Sequence, residues 1–130
     1  MSVRVRILEG PLTQRPEPPA NGAGAVFVFD GIVRPREGAP PHDTPIAALD
    51  YTAYRPMADQ TLEAIAREAL QRFGLLAIDV EHSLGRVNAG ESSFRLAIHA
   101  AHRREALDAA NWFIDRMKAD VPIWKAPVRA

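Results

Sequence analysis

The sequence predicts an α+β fold with a largely antiparallel sheet and two main helices. Five segments have the alternating or continuously apolar pattern of strands, and two longer segments carry apolar residues at spacings of three and four. The order β-β-β-α-β-β-α, with hairpin-like neighbours, favours antiparallel pairing. The 130 residues suit one domain over 1–130, because they contain no internal repeat and no interdomain linker.

Three strands are predicted before the first helix. Residues 2–8 alternate between apolar side chains and Arg, which is typical of a half-buried strand. Residues 25–33 are apolar and predict a buried strand that Asp30 and Gly31 interrupt, since a glycine in a strand often marks a bulge or a close backbone approach. Residues 46–54 alternate again and predict the third strand.

The segments between these strands are rich in proline. Residues 9–24 contain several Pro and Gly and predict a loop. Residues 35–45 hold four prolines and one glycine, and they predict a mobile surface loop.

Each helix is predicted from its apolar stripe and from the residues that bound it. The first begins at Pro56, which suits a first helical turn, and ends before Gly74. The second covers about residues 103–118 and ends before Pro122. Strands are predicted at 75–84 and 92–100, with turns at 85 and 88–90 and a short extended piece at 123–125.

The composition excludes several classes of protein. Lys and Arg number 16 and Asp and Glu number 16, so the chain lacks the basic excess of a general nucleic-acid or membrane-surface binder. There is no cysteine, which excludes disulfides, thiolate nucleophiles and Cys-ligated metals. No apolar run has the length of a membrane span, and the first residues lack a signal-peptide core. We therefore expect a cytoplasmic protein.

Lysine is rare in this chain, which has 14 Arg but only Lys118 and Lys125. A GC-rich genome explains the many Arg residues. It does not explain why both lysines stand in one short segment. A Lys side chain can be tuned by its surroundings into a base, an acid or a nucleophile, which Arg cannot. Codon bias and function both remain open explanations.

The other candidate residues are histidines and arginines next to strand ends. None of the four histidines pairs in a metal-binding motif, so we expect no metal site. His102 and Arg103 stand where a strand passes into a helix, which indicates either an anion site or a solvated first turn. Arg34 follows a strand and precedes a loop, and it either binds a ligand or only ends the strand.

Several motifs within residues 24–125 resemble the large (catalytic) subunit of molybdopterin synthase. They stand in the family's order and at family-like spacing: Gly24-Ala25-Val26; Phe29-x-Gly31-x-Val33-Arg34; Leu49-x-Tyr51-x-x-Tyr54-x-x-Met57-Ala58; His82-x-x-Gly85-Arg86-x-x-x-Gly90-Glu91; Ala101-His102-Arg103 followed by Ala106; and Ile114-Asp115-x-x-Lys118-x-x-Val121-Pro122-Ile123-Trp124-Lys125. The last motif is fairly specific, and the set as a whole is strong.

The resemblance implies an α/β-hammerhead-like fold and a sulfurtransferase that converts cyclic pyranopterin monophosphate into molybdopterin. In this family the sulfur arrives as a thiocarboxylate on the C-terminal Gly-Gly tail of a ubiquitin-like small subunit. Two large subunits form the homodimeric core of a heterotetramer, and no cofactor is implied.

The resemblance also implies roles for individual residues. Lys118 and Lys125 match the family's two catalytic lysines. The implied substrate-binding residues are Phe29, Arg34, His102, Arg103 and Ile114. Family pockets take residues from both copies of the large subunit, so these positions need not converge within one chain.

The sequence departs from the family pattern after the second lysine. The family usually continues with a basic residue and a Glu, whereas Ala126 and Pro127 stand here, so a carboxylate beside Lys125 is missing from this segment. Two alternatives remain: a non-catalytic α+β dimerising interaction module or degenerate family member, and a small enzyme that forms a Schiff base on a lysine.

Overall fold

The computed structural model describes residues 2–13 and 21–130, and it contains the predicted elements in the predicted order together with two further strands. They are β1 (Ser2–Glu9), β2 (Ala25–Ile32), β3 (Arg36–Glu37), β4 (Thr44–Ala53), α1 (Met57–Arg72), β5 (Ala77–Asn88), β6 (Ser92–Ala100), α2 (Arg103–Asp120) and β7 (Ile123–Arg129). The predicted α+β fold is confirmed, since both helices and β6 lie where the sequence places them.

The long strand β5 organises the sheet. Its first part pairs in parallel with β1 and antiparallel with β6, and β6 pairs in turn with the edge strand β2. From Gly85 onward β5 pairs instead with β4, which also pairs with β3 and β7. Among the described strands, only β1 and β5 pair in parallel, so the sheet is largely antiparallel as predicted.

Both helices cover one face of this sheet. The apolar stripes of α1 and α2 meet the alternate apolar residues of β5 and β6 in one core, whose fully buried members include Leu62, Ile78, Leu96 and Phe113. The apolar side of β1 packs against the same core, as expected of a half-buried strand. Burial of this kind of surface is the main favourable term in folding.

The structure corrects the prediction that β2 is buried. This strand lies at the edge of the sheet, and Val26 is 51% exposed. Apolar sequence alone predicts burial, but the helices cover one face of the sheet, and Val26 lies on the other face because it alternates with Phe27, which packs against the core. The predicted bulge is confirmed, because the register with β6 shifts between Gly31 and Ile32.

Three further boundaries differ from the prediction. β5 continues through Gly85, whose φ of 76° lets the strand pass from one pairing partner to the next. Residues 123–125 belong to the seven-residue strand β7, which pairs along β4. The predicted loop 35–45 contains β3. Of the predicted loop 9–24, residues 14–20 lie outside the described residues.

No helix in the described part of the chain is long and apolar enough to cross a membrane.

Candidate active site

A cavity of about 460 Å³ opens where β2 and the loop that contains β3 approach the end of α2 and the start of β7. This size is typical of a small-molecule site. Trp124, which is 57% exposed, and Ile123 belong to its wall on the β7 side. The cavity brings together segments from the first third and the last tenth of the chain.

Three cations line the cavity, and each is held by a different element. Arg34 follows the end of β2, Lys118 lies in the last turn of α2, and Lys125 lies on β7. Both lysines of the protein therefore face one cavity. Clustered cations attract an anionic ligand, and they also stabilise negative charge that develops in a reaction.

Two other predicted site residues, Phe29 and Ile114, also line the cavity. Phe29 is near Phe94, with ring centroids 6.1 Å apart, and Phe94 stacks on Phe113 of the core. One side of the cavity is therefore apolar and continuous with the core. Charges near such a surface are less screened than in water.

His102 and Arg103 do not reach this cavity within the chain. They stand at the start of α2, and at 1.5 Å per residue Arg103 is about 22 Å along the helix from Lys118. The backbone N–H of His102 donates a hydrogen bond to Glu105 Oε2 over 3.2 Å. The His102 side chain is 83% exposed. In one chain these residues form a capped, solvated first turn of the helix.

The cavity also contains polar residues that we did not predict as site residues. The Tyr51 hydroxyl donates a hydrogen bond to Ser93 Oγ over 3.0 Å. The His82 ring lies edge-on to Tyr51, with centroids 5.2 Å apart, and its Nδ1 lies 2.8 Å from the Ser83 carbonyl oxygen. Burial lowers the pKa of His82, so the ring is neutral and its Nδ1–H donates to that carbonyl. Tyr51 and His82 stand in the quoted sequence motifs, but nothing in their spacing showed that they meet.

Glu37 is the acidic residue that the sequence analysis missed. Its Oε1 lies 3.4 Å from Lys125 Nζ, and both residues line the cavity. Glu37 stands in a proline-rich segment that predicts only a loop, far from Lys125 in sequence. Only the folded chain, in which both residues line the same cavity, reveals the contact.

No group of three or more His, Asp or Glu side chains within residues 2–13 and 21–130 is placed to hold a metal ion. The arrangement offers instead a cationic, partly apolar pocket with two lysines. It can bind an anion and transfer protons or stabilise negative charge.

The sequence matches the family model described as MoaE protein over residues 9–120. A relative from rice (Oryza sativa subsp. indica), named molybdopterin synthase catalytic subunit, is 43% identical over 107 residues, which cover 82% of this chain. The chain belongs to the MoaE family. The resemblance stated from the motifs is thereby confirmed.

Solved structures agree with the MoaE assignment. The structure of molybdopterin synthase from Staphylococcus aureus matches with a TM-score of 0.73 at 31% identity, covering 83% of this chain and 76% of that one. A complex of subunits 1 and 2 of molybdopterin-converting factor from Helicobacter pylori matches with a TM-score of 0.73 at 26% identity. The match covers 97% of this chain and 89% of that one. The chain spans about half the length of the rice relative, 53% of it.

Proposed function

We propose that this chain is the catalytic subunit of a molybdopterin synthase, a sulfurtransferase that converts cyclic pyranopterin monophosphate into molybdopterin. The observation that carries the proposal is the convergence of Lys118 and Lys125 with Arg34 in one cavity of a MoaE-family chain. The names of the relatives support it, and they do not favour a non-catalytic interaction module. One domain over residues 1–130 and a cytoplasmic location are part of the same proposal.

The sulfur donor in this proposal is a ubiquitin-like small subunit with a C-terminal Gly-Gly thiocarboxylate. A thiocarboxylate is anionic, so the cations of the pocket attract it. Glycines have no side chains, and a Gly-Gly tail therefore fits a narrow entrance. The Helicobacter pylori complex, which contains two subunits of molybdopterin-converting factor, supports a two-subunit assembly.

The proposed reaction uses the pocket cations in separate roles. Arg34 binds the anionic phosphate of the substrate. The thiocarboxylate sulfur attacks an oxygen-bearing carbon of the substrate side chain, and the carbon–oxygen bond breaks as that oxygen leaves and takes up a proton. Water then cleaves the acyl–sulfur bond. This leaves the sulfur on the substrate and a carboxylate on the tail. Lys118 orients the thiocarboxylate and assists proton transfer, while Lys125 stabilises the developing negative charge.

A second copy of the chain completes the pocket in this proposal. His102 and Arg103 lie at the far end of α2 from Lys118, so within one chain they cannot contact the same substrate. In a homodimer, the pair from one copy can approach the lysines of the other. The assembly is then a heterotetramer, with a small subunit at each end.

The Lys118→Ala variant tests the proposed function. We expect it to abolish molybdopterin formation from the cyclic substrate and a thiocarboxylated small subunit. Its thermal unfolding and its affinity for the small subunit should remain those of the wild type, because Lys118 lies on the surface of the last helical turn. Lys118→Arg separates the roles of charge and proton transfer, since Arg keeps the charge but does not release a proton.

Near-normal product yield from Lys118→Ala would rule out the assigned role of this lysine. Binding of the small subunit without product from the wild type would instead indicate an interaction module.

A further inference from the structure

One carboxylate lies among the three cations of the pocket. Of the described residues that line the cavity, Glu37 is the only acidic one, and its Oε1 lies 3.4 Å from Lys125 Nζ. A negative charge here reduces the attraction of the pocket for an anionic ligand. The contribution of Glu37 to the site must therefore come from its effect on Lys125.

The backbone that carries Glu37 is fixed on both sides of this residue. Arg36 Nε donates a hydrogen bond to Asp43 Oδ2 over 2.6 Å, and Arg36 Nη2 donates another to the Asp43 carbonyl oxygen over 2.9 Å. Arg34 Nη2 donates to the Gly38 carbonyl oxygen over 3.5 Å. These hydrogen bonds therefore hold the segment that carries Glu37.

Strand β4 pairs with the segment that carries Glu37 and with the strand that carries Lys125. It pairs with β3, where Thr44 is opposite Glu37, and with β7, where Tyr51 is opposite Lys125. Both charged residues are therefore held by backbone pairing to the same strand. A Lys side chain has a flexible four-carbon stem, and a fixed carboxylate restricts where its ammonium group lies.

We infer that Glu37 is a positioning residue, which holds the ammonium group of Lys125 in place at the pocket. The effect of Glu37 on turnover rests on the proposed function, whereas its effect on the position of Lys125 does not. Both side chains of the pair are partly exposed, that of Lys125 to 52% and that of Glu37 to 31%. Ion pairs of this exposure contribute little to folding stability, so loss of Glu37 should change the position of Lys125 and not the fold.

Because the chain has only two lysines, this contact can be measured directly. Reductive methylation with ¹³C-formaldehyde labels only Lys118, Lys125 and the N-terminal amine, and Lys125→Arg identifies the Lys125 signal. We expect Glu37→Gln to move the Lys125 methyl signal and to leave the Lys118 signal in place. The matched control is Glu63→Gln, which removes an exposed ion pair with Arg67 on α1 and should move neither signal.

A Lys125 signal that stays unchanged in Glu37→Gln overturns the inference. This measurement does not depend on the reaction. If the wild type makes no molybdopterin, the proposed function fails, whereas the Lys125 signal still decides whether Glu37 positions this lysine.

Turnover provides the second readout. We expect Glu37→Gln to lower kcat by about ten-fold, because small displacements of a group at the reacting centre have effects of this order or larger. Thermal unfolding should be unchanged, and affinity for the small subunit should not fall, because Glu37→Gln removes a negative charge from the pocket. The Glu63→Gln control should turn over like the wild type.

A carboxylate introduced on β7 should restore the activity that Glu37→Gln loses. Positions 125 and 127 face the same side of the strand, about 7 Å apart, so Pro127→Glu places a carboxylate within reach of Lys125. We expect Pro127→Glu in the Glu37→Gln background to recover kcat to within about three-fold of the wild type. A wild-type kcat for Glu37→Gln, or a loss that Pro127→Glu leaves unrepaired, contradicts the role in turnover.

Discussion

At the scale of single residues, arginine and lysine are used differently in this protein. Seven of the described arginines form ion pairs. In one of them, Arg55 donates from Nε and Nη2 to the two carboxylate oxygens of Asp59 over 3.0 and 2.7 Å. Such two-point contacts suit the planar guanidinium group. Lys118 and Lys125 both line the cavity, where Lys125 lies near Glu37. Codon bias would account for the number of arginines, and in the proposed function the location of the lysines follows chemistry that arginine cannot supply.

His82 makes stability depend on pH. Burial lowers its pKa below the usual 6.5, although the hydrogen bond to the Ser83 carbonyl opposes this effect. The unfolded chain therefore binds the proton more readily than the folded chain. The stability that His82 contributes is fully present above pH 6.5 and is lost as the pH falls through the lower folded-state pKa.

We therefore expect the free energy of unfolding to fall less between about pH 7.5 and about pH 5.5 in His82→Gln than in the wild type. Urea titrations at the two pH values measure this difference. Both proteins keep His99, whose pKa burial also lowers, and Glu81, whose pKa burial raises. Their effects cancel in the comparison, so an equal fall in both proteins would contradict the role of His82.

At the scale of elements, the sequence predicts best those segments whose pattern and end signals are local. The helix α1 follows Pro56 and ends just before Gly74, and α2 ends before Pro122. Residues 92–100 alternate with the period of a strand and form β6. In each case the side chains that define the element lie within the element itself.

The strands that sequence predicts poorly depend on distant partners. β7 contains Ala126 and Pro127, which have no strand pattern, and it forms because β4 offers a free edge. Val26 is exposed because it lies on the face of β2 that points away from the helices, which apolar composition does not reveal. The contact between Glu37 and Lys125 could not be predicted either, since the two residues are far apart in sequence and meet only at the folded cavity.

The contribution of α2 to folding stability should come mainly from its packing against the sheet. Phe113 is fully buried, and its ring is nearly parallel to that of Phe94, with centroids 6.5 Å apart. We expect Phe113→Ala to lower the free energy of unfolding by about 3–5 kcal/mol, because it leaves a cavity in the core.

Leu107 on the same helix is the control. It is 46% exposed, and Leu107→Ala should change the free energy of unfolding by only about 0.5 kcal/mol. Denaturant titrations of the two variants measure both values. Losses of similar size in the two variants would show that packing of this face is not what holds α2.

At the scale of the whole molecule, one chain builds only part of the proposed site. The sheet and α2 bring Phe29, Arg34, Ile114 and both lysines to one cavity. They leave His102 and Arg103 at the opposite end of α2. Sequence motifs specify which residues belong to a site, but they do not specify which copy of the chain provides each residue. A symmetric dimer removes this conflict, because each pocket then takes the basic pair from its partner.

Complementation between two inactive variants tests this arrangement. Lys118→Ala and Arg103→Ala should each abolish or strongly reduce product formation when present in both copies. In a mixed dimer of the two variants, one pocket contains both substitutions and the other contains neither. Co-expression under two affinity tags allows the mixed dimer to be purified, and we expect it to turn over at about half the wild-type rate.

The matched control places both substitutions in one copy and pairs that copy with the wild-type chain. If the pocket draws Arg103 from the partner, each pocket of this dimer then carries one substitution, and the dimer should be inactive. If the pocket is instead built within one chain, the two results are exchanged: the control dimer keeps one intact pocket, and the mixed dimer has none. Since the two dimers contain the same substitutions in total, differences in folding cannot produce this reversal.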